Sequence, residues 1–324
     1  MRVVMSARRP VVQRTARPVD TQVRPVSRPL PVALVQAPPR PAAAPLSGFA
    51  EEVGELIARF PQTRLVVYPE LHLCGVTGSA DASEDQLRAA AEPLDGPRAR
   101  QLAELAGDLG IWLVPGSVCE RGPGGELFNT ALAFSPEGRA AASYRKIFPW
   151  RPHEPYVPGD RFVVLDLPGT GRVGFSICYD AWFPEVARHL AWMGAEVIIN
   201  PVMTTTADRA QERVLARANA IVNQVFVLSV NTAGPTGTGR SLVVDPEGRV
   251  RTEAPDQGPA VLTDVLDLDE VTRVREFGTA GLNRMWDQFT DADAPLELPL
   301  YDGRIDPRRW RPAGPAPFPP GTDG

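Results

Sequence analysis

Lysine is almost missing from this sequence. Of 34 basic side chains in 324 residues, 33 are arginine, and Lys146 is the one ammonium. Cysteine and histidine are scarce too, at three each. Three cysteines spread along a chain this long do not make a disulfide framework; they suit a reducing, cytoplasmic setting. No group of ligands has the spacing of a metal site, and no GxGxxG or P-loop sequence occurs to hold a nucleotide. Neither a metal nor another cofactor is expected. No run of about 18 apolar residues exists, which excludes a membrane-spanning helix.

Proline, by contrast, is plentiful, with 35 residues crowded towards the two ends. Residues 1–29 carry seven arginines and a single acid, Asp20. No apolar stretch follows Arg8-Arg9, so neither a secretory nor a twin-arginine signal is present, and a disordered basic arm is expected. Without those residues the net charge moves from −5 to −11, which disfavours nucleic acid as the main partner. Residues 30–289 are expected to form one folded body, and 290–324 a Pro-rich extended tail.

Between the ends, strand-like and helix-like stretches alternate. LPVALVQAP (30–38), RLVVYPE (64–70), IWLVPGSVCERG (111–122), RVGFSIC (172–178), AEVIINP (195–201), VFVLSVN (225–231) and GPAVLTDVLDLD (258–269) read as strands. Helical spacing marks 48–60, 84–109 (broken by Pro93 and Pro97), 183–194, 209–224 and 269–277. Two hairpins, 128–146 and 241–253, share a PEGR turn, with Pro at i+1 and Gly where a left-handed residue is wanted. The pattern predicts an α/β protein with mixed sheets covered by outer helices.

Three polar residues close strand-like segments: Glu70, Lys146 and Cys178. Ligands of open α/β sheets bind beyond the carboxyl ends of strands, so the three could share one crevice. They are chemically complementary. A thiol needs a base to become a nucleophile. An ammonium stabilises the oxyanion that follows attack on a carbonyl, and arginine cannot imitate that compact point charge in a narrow pocket. A helix starting near Phe183 would aim its positive end at Cys178. Cys74 and Cys119 read as packing residues, and His72, His153 and His189 make no convincing Cys-His pair.

PELHLCG (69–75), YRKIFPW (144–150) and ICYDAWFPE (177–185) resemble the three signature segments of the nitrilase superfamily, the carbon–nitrogen hydrolases. The resemblance runs from about residue 30 to 285. It implies a four-layer αββα sandwich and a Glu-Lys-Cys triad. Carried over, Glu70 is general base and then acid, Lys146 the oxyanion donor and Cys178 the nucleophile. Glu154, eight residues after the lysine, positions Lys146 and water, and the backbone N–H of Tyr179 is the second oxyanion donor. Phe148, Trp150 and Trp182 flank these motifs and could wall the substrate pocket or serve the core. Nitrile-cleaving relatives usually have Trp-Glu after the cysteine; Tyr-Asp here points to the amidase and carbamoylase branches. The expected reaction is therefore hydrolysis of a small linear amide or N-carbamoyl compound through a thioester. A nitrilase, acyl transfer to an amine and a non-catalytic scaffold are the alternatives. Relatives pair helices across a two-fold axis, so a homodimer or larger homo-oligomer is expected, with the proline-rich tail on a neighbouring subunit.

Overall fold

Alternation along the first strand sets the layering. In β1 (Pro29–Gln36), Val32 and Leu34 face one apolar cluster while Ala33 and Val35 face another. A strand with both faces buried needs cover on each side. The computed structural model describes residues 27–75, 80–290, 292–294, 296–298 and 300–303.

From β1 the chain runs through α1 (Ser47–Arg59), β2 (Leu65–Val67), α2 (Ala80–Ala90), α3 (Pro97–Leu109), β3 (Trp112–Val114) and β4 (Ser117–Arg121). The hairpin of β5 (Leu127–Phe134) and β6 (Ala140–Arg145) follows, then β7 (Val164–Leu167) and β8 (Gly171–Phe175). Next come α4 (Pro184–Trp192), β9 (Val197–Val202), α5 (Arg209–Asn223) and β10 (Phe226–Asn231). The hairpin β11 (Leu242–Val244) and β12 (Val250–Glu253), then β13 (Ala260–Asp267) and α6 (Asp269–Phe277), complete the body.

Seven strands form one sheet in the order β13-β1-β2-β3-β5-β4, with β6 on β5; six form the other, β12-β11-β10-β9-β8-β7. Both are mixed: β1-β2-β3 and β8-β9-β10 are parallel, and the hairpins are antiparallel. Val32, Leu34, Leu65 and Val67 of the first sheet meet Val173, Phe175, Ile199 and Leu228 of the second in one core. Phe49 and Val53 of α1 and Leu102 of α3 cover the outer face of the first sheet. Val186 and Leu190 of α4 and Ala220 of α5 cover that of the second. The result is the expected four-layer αββα sandwich. Full burial of each Val, Leu or Phe side chain contributes about 1.5–3 kcal/mol.

Local signals explain the element ends. Helix α3 starts with Pro97 in its first turn and stops at Gly110, whose φ of 63° is left-handed. The expected strand over 111–122 is two strands, because Gly116 breaks it at φ 88°. A Cβ there would stand 1.7 Å from the carbonyl oxygen of Pro69, so only glycine lets the two segments cross. The expected strand over 172–178 ends at Phe175, and β7, for which the sequence pattern gave no signal, pairs beside it.

The basic arm lies outside the described residues up to position 26, but the fold starts before residue 30. Pro29 opens β1, and Arg28 ion-pairs with Glu196 at 2.7 Å and with Asp269 at 2.8 Å. Residues 304–324 of the tail also lie outside the described residues; Leu296, Leu298 and Leu300 are exposed. Among the described residues no helix is long and apolar enough to cross a membrane.

Candidate active site

Glu70 stands three residues past β2, in a turn where Leu71 takes a left-handed φ of 50° and donates its amide to Ser117 Oγ at 3.0 Å. Gly116 admits this turn, as its contact with Pro69 shows. Glu70 is buried, and Asn129 of β5 donates Nδ2 to its Oε1 at 2.8 Å. No described residue hydrogen-bonds Glu70 Oε2.

Lys146 follows β6 directly, held in the ladder by its amide on the Asn129 carbonyl at 2.8 Å. Its side chain is fully buried. The ammonium donates to Glu70 Oε1 at 2.9 Å and to both oxygens of Glu154, at 2.7 and 3.0 Å. Glu154 is itself fixed by a short turn, in which the Trp150 amide donates to Oε2 at 3.1 Å. Burial acts to lower the Lys146 pKa. The charges of Glu70, Cys178 and Glu154 act the other way and win, so the ammonium is held protonated. Burial pushes the Glu154 carboxyl up, against the pull of Lys146 and with the push of Glu70.

Cys178 opens a 3-10 turn, Cys178–Trp182, with a left-handed φ of 47°. A side chain in that region is strained and persists only where its surroundings fix it. Here Asp180 supplies the restraint. Its carboxylate is fully buried and accepts three hydrogen bonds: Ile177 N at 2.9 Å, Tyr144 OH at 2.7 Å and Phe148 N at 2.8 Å. The first belongs to the cysteine corner, the second to the strand before Lys146, the third to the loop after it. One carboxylate thus ties the two segments together. Cys178 is partly buried, and its thiol is pushed well above the ordinary range by burial and by Glu70; Lys146 and the Met203 amide oppose this. It rests as a thiol beside a carboxylate and an ammonium. Asp180 also lines, with Ser176, Asn200 and apolar residues such as Val186 and Ile198, a cavity of about 20 Å³, room for one water.

The structure therefore brings Glu70, Lys146 and Glu154 into direct contact and sets Cys178 within their field. Tyr179 lies in the first turn of a helix, where backbone N–H groups lack helical partners. The aromatic residues divide. Phe148 stacks on Phe183 at 3.7 Å within the cluster under α4, so it packs the core. Trp150 is partly exposed and lies on His153 at 4.3 Å. Trp182 lies 6.1 Å from Tyr179, and its buried indole N–H meets no described partner. His72 packs between Phe49 and Tyr68, and His189 on Phe162. Among the described residues no three His, Cys, Asp or Glu side chains are grouped to hold a metal. Sequence reasoning missed Asn129, Tyr144 and the role of Asp180. The available signal for Asn129 was an amide inside LFNTALAF, a strand buried throughout.

The carbon–nitrogen hydrolase family model matches residues 31–276. A formamidase of Bacillus thuringiensis (strain Al Hakam) is 34% identical over 226 residues, which is 67% of this chain and 66% of that protein's length. The crystal structure of Saccharomyces cerevisiae Nit3, of branch 10 of the nitrilase superfamily, superposes with a TM-score of 0.69 at 30% identity, covering 77% of this chain and 94% of that one. A variant of the amidase from Nesterenkonia sp. AN1 superposes with a TM-score of 0.61 at 27% identity over 76% of this chain and 93% of that one. In that variant the acetamide moiety of fluoroacetamide is added covalently at the active-site cysteine.

Proposed function

This chain belongs to the carbon–nitrogen hydrolase family, and on that premise we propose that it hydrolyses a small linear amide to acid and ammonia, or an amine, through a thioester on Cys178. The observation that carries the reading is the buried Glu70–Lys146–Glu154 cluster beside a cysteine held in a strained corner. The likeness to a formamidase and to an amidase supports a small amide over a nitrile.

The thiol proton passes to Glu70, whose Oε2 is not taken up by a described residue, as the sulfur adds to the amide carbonyl. With one N–H on Glu70 and one shared between the two oxygens of Glu154, the third N–H of Lys146 serves the oxyanion, joined by the backbone N–H of Tyr179. Glu70 returns the proton to the departing nitrogen, leaving the thioester. It then deprotonates the water that replaces the amine, and collapse of the second tetrahedral adduct releases the acid and regenerates the thiol. Glu154 neutralises and orients the ammonium throughout. No bound metal or cofactor enters this scheme.

We further infer self-association through α4 and α5. Trp192 of α4 is 76% exposed and Val214 of α5 65%, and Ile221 and Val222 of α5 are exposed too; exposed apolar side chains on packed helices are the kind of surface that marks an interface. A second copy of the chain fits it, and the exposed leucines of the tail would extend the contact.

The test is a screen of short amides, N-carbamoyl compounds and nitriles with ammonia detection, run beside Cys178→Ala and with intact-mass detection of the acyl-enzyme. Amide turnover with a transient acyl adduct on Cys178 supports the reading. A nitrile turned over faster than its matching amide, or turnover unaffected by Cys178→Ala, overturns it.

A further inference from the structure

Cys74 and Cys119 are 45 residues apart in sequence and adjacent in space. The Cys119 amide donates to Cys74 Sγ at 3.3 Å. Both are free and buried. Their surroundings lead back to the carboxylates of the active site. Cys74 ends the turn that begins at Glu70. Cys119 is the ladder partner of Asn129, which holds Glu70. Cys119 Sγ lies 3.7 Å from the hydroxyl of Tyr156, two residues past Glu154. A guanidinium nitrogen of Arg98 reaches Cys74 Sγ at 3.8 Å, and Arg98 also lines a cavity of about 190 Å³ open to the surface. A packing role requires no polar company of this kind.

We propose that Cys74 and Cys119 form an oxidisable dithiol whose conversion to a disulfide by a peroxide displaces Glu70 and reversibly lowers activity. The cysteines are not equivalent. The hydrogen bond from Cys119, against burial and with help from Arg98, pulls the Cys74 thiol down, while Cys119 is pushed up. The Arg98 guanidinium, 3.8 Å from Cys74 Sγ, favours a thiolate there, so Cys74 attacks and Cys119 resolves. The Cys74 thiol gives up its proton, its sulfur takes one oxygen of hydrogen peroxide as the O–O bond breaks, and the leaving hydroxide recovers that proton, giving a sulfenic acid and water. The Cys119 sulfur then attacks that sulfenic sulfur; the S–S bond forms, hydroxide leaves and takes the Cys119 proton as a second water. Two thiols lose two electrons to one peroxide. Cys178, partly exposed, is the competing target, and the peptide map separates it from the pair. Joining the sulfurs requires the 71–74 turn to move towards β4, and Glu70 stands at the head of that turn.

The experiment exposes the full chain to hydrogen peroxide, blocks remaining thiols under denaturing conditions and maps peptides by mass spectrometry, with amide turnover followed in parallel. The expected result is a Cys74–Cys119 linked peptide with Cys178 still alkylable, and at least a tenfold fall in turnover that dithiothreitol restores. Cys119→Ser and, independently, Cys74→Ala should keep basal turnover and lose the dithiothreitol-reversible inhibition. Failure to find the linked peptide while Cys178 is oxidised overturns the site. A linked peptide with unchanged turnover overturns the coupling to Glu70. The peptide map does not depend on the amide-hydrolysis reading, so a failure of that reading shows separately, as an unoxidised enzyme without turnover.

Discussion

Tyr144 donates its hydroxyl to Asp180 at 2.7 Å, joining the strand that delivers Lys146 to the corner that holds Cys178. A hydrogen bond to a charged group contributes about 1.5–3 kcal/mol. Asp180→Asn keeps the shape but offers an N–H where an acceptor is needed. kcat should fall roughly 10- to 100-fold, with KM within about twofold, because the corner relaxes without loss of the pocket. Slower alkylation of Cys178 should accompany it. Tyr144→Phe should show the same pattern, more weakly. A change confined to KM would reject the positioning role.

Lys146 holds two carboxylates at once, and substitution should reveal both duties. Lys146→Ala removes the oxyanion donor and should lower kcat about 100- to 1000-fold. Lys146→Arg should not rescue it, since a planar guanidinium cannot occupy a fully buried ammonium site. Glu154→Gln leaves the ammonium with Glu70 alone and should reduce kcat while sparing the thioester-forming residue, which burst kinetics would register. Rescue by arginine to within tenfold would count against the oxyanion role.

The pH profile follows from two directions of shift. Burial raises the Glu154 carboxyl, so falling pH protonates it early and removes its charge from Lys146. The acidic limb of kcat should stand above the ordinary carboxylate value of about 4.3 and change position in Glu154→Gln. The Cys178 thiol is raised as well. Its alkylation by iodoacetamide should still be rising beyond pH ~8.5, the ordinary thiol value. A plateau below that value would mean a resting thiolate and would remove Glu70 as the base.

His72, two residues past Glu70, bears on stability. Burial, with a smaller push from Arg40, lowers its pKa from 6.5 to about 3, and neither ring nitrogen has a described partner. Between those values the unfolded chain binds a proton that the folded one refuses, so stability falls as pH drops from 6.5 towards about 3. At pH 4 the loss from this group is roughly 3 kcal/mol. His72→Phe, set between Phe49 and Tyr68, should flatten that slope in urea denaturation. An unchanged slope would show that other groups carry it.

Self-association should depend on the exposed face of α4 and α5. Val214→Glu and Trp192→Glu should shift the species seen by light scattering towards monomer. Truncation at residue 290 should weaken the association if the tail crosses to a neighbour. Unaltered mass in all three variants would place the interface elsewhere.

Much was legible before folding because it depends on local rules. The apolar run in LPVALVQAP, helical spacing in GFAEEVGELIARF and the PEGR turns each predict their element, and the structure has them. Glu70, Lys146 and Cys178 stood out as polar residues closing strand-like runs, and Glu154 came from the family resemblance, by its place eight residues after Lys146. Other features escaped because their cause lies far along the chain. Gly116 breaks a strand to make room for Pro69, and Asp180 matters through Tyr144 and Phe148, more than 30 residues earlier. Phe148 could not be assigned to pocket or core until Phe183 was seen stacked on it.

By itself the sequence determined the layered α/β class and the identity of the chemical groups, because residue type and spacing fix which side chains exist and how each segment prefers to lie. Only the tertiary structure decided that Lys146 would be shared between Glu70 and Glu154, that Asp180 would act as a clamp and that Cys74 would meet Cys119. Those are contacts between distant segments, and they exist only where two sheets and their connecting loops have packed, excluding water and bringing charges within a few ångströms of one another.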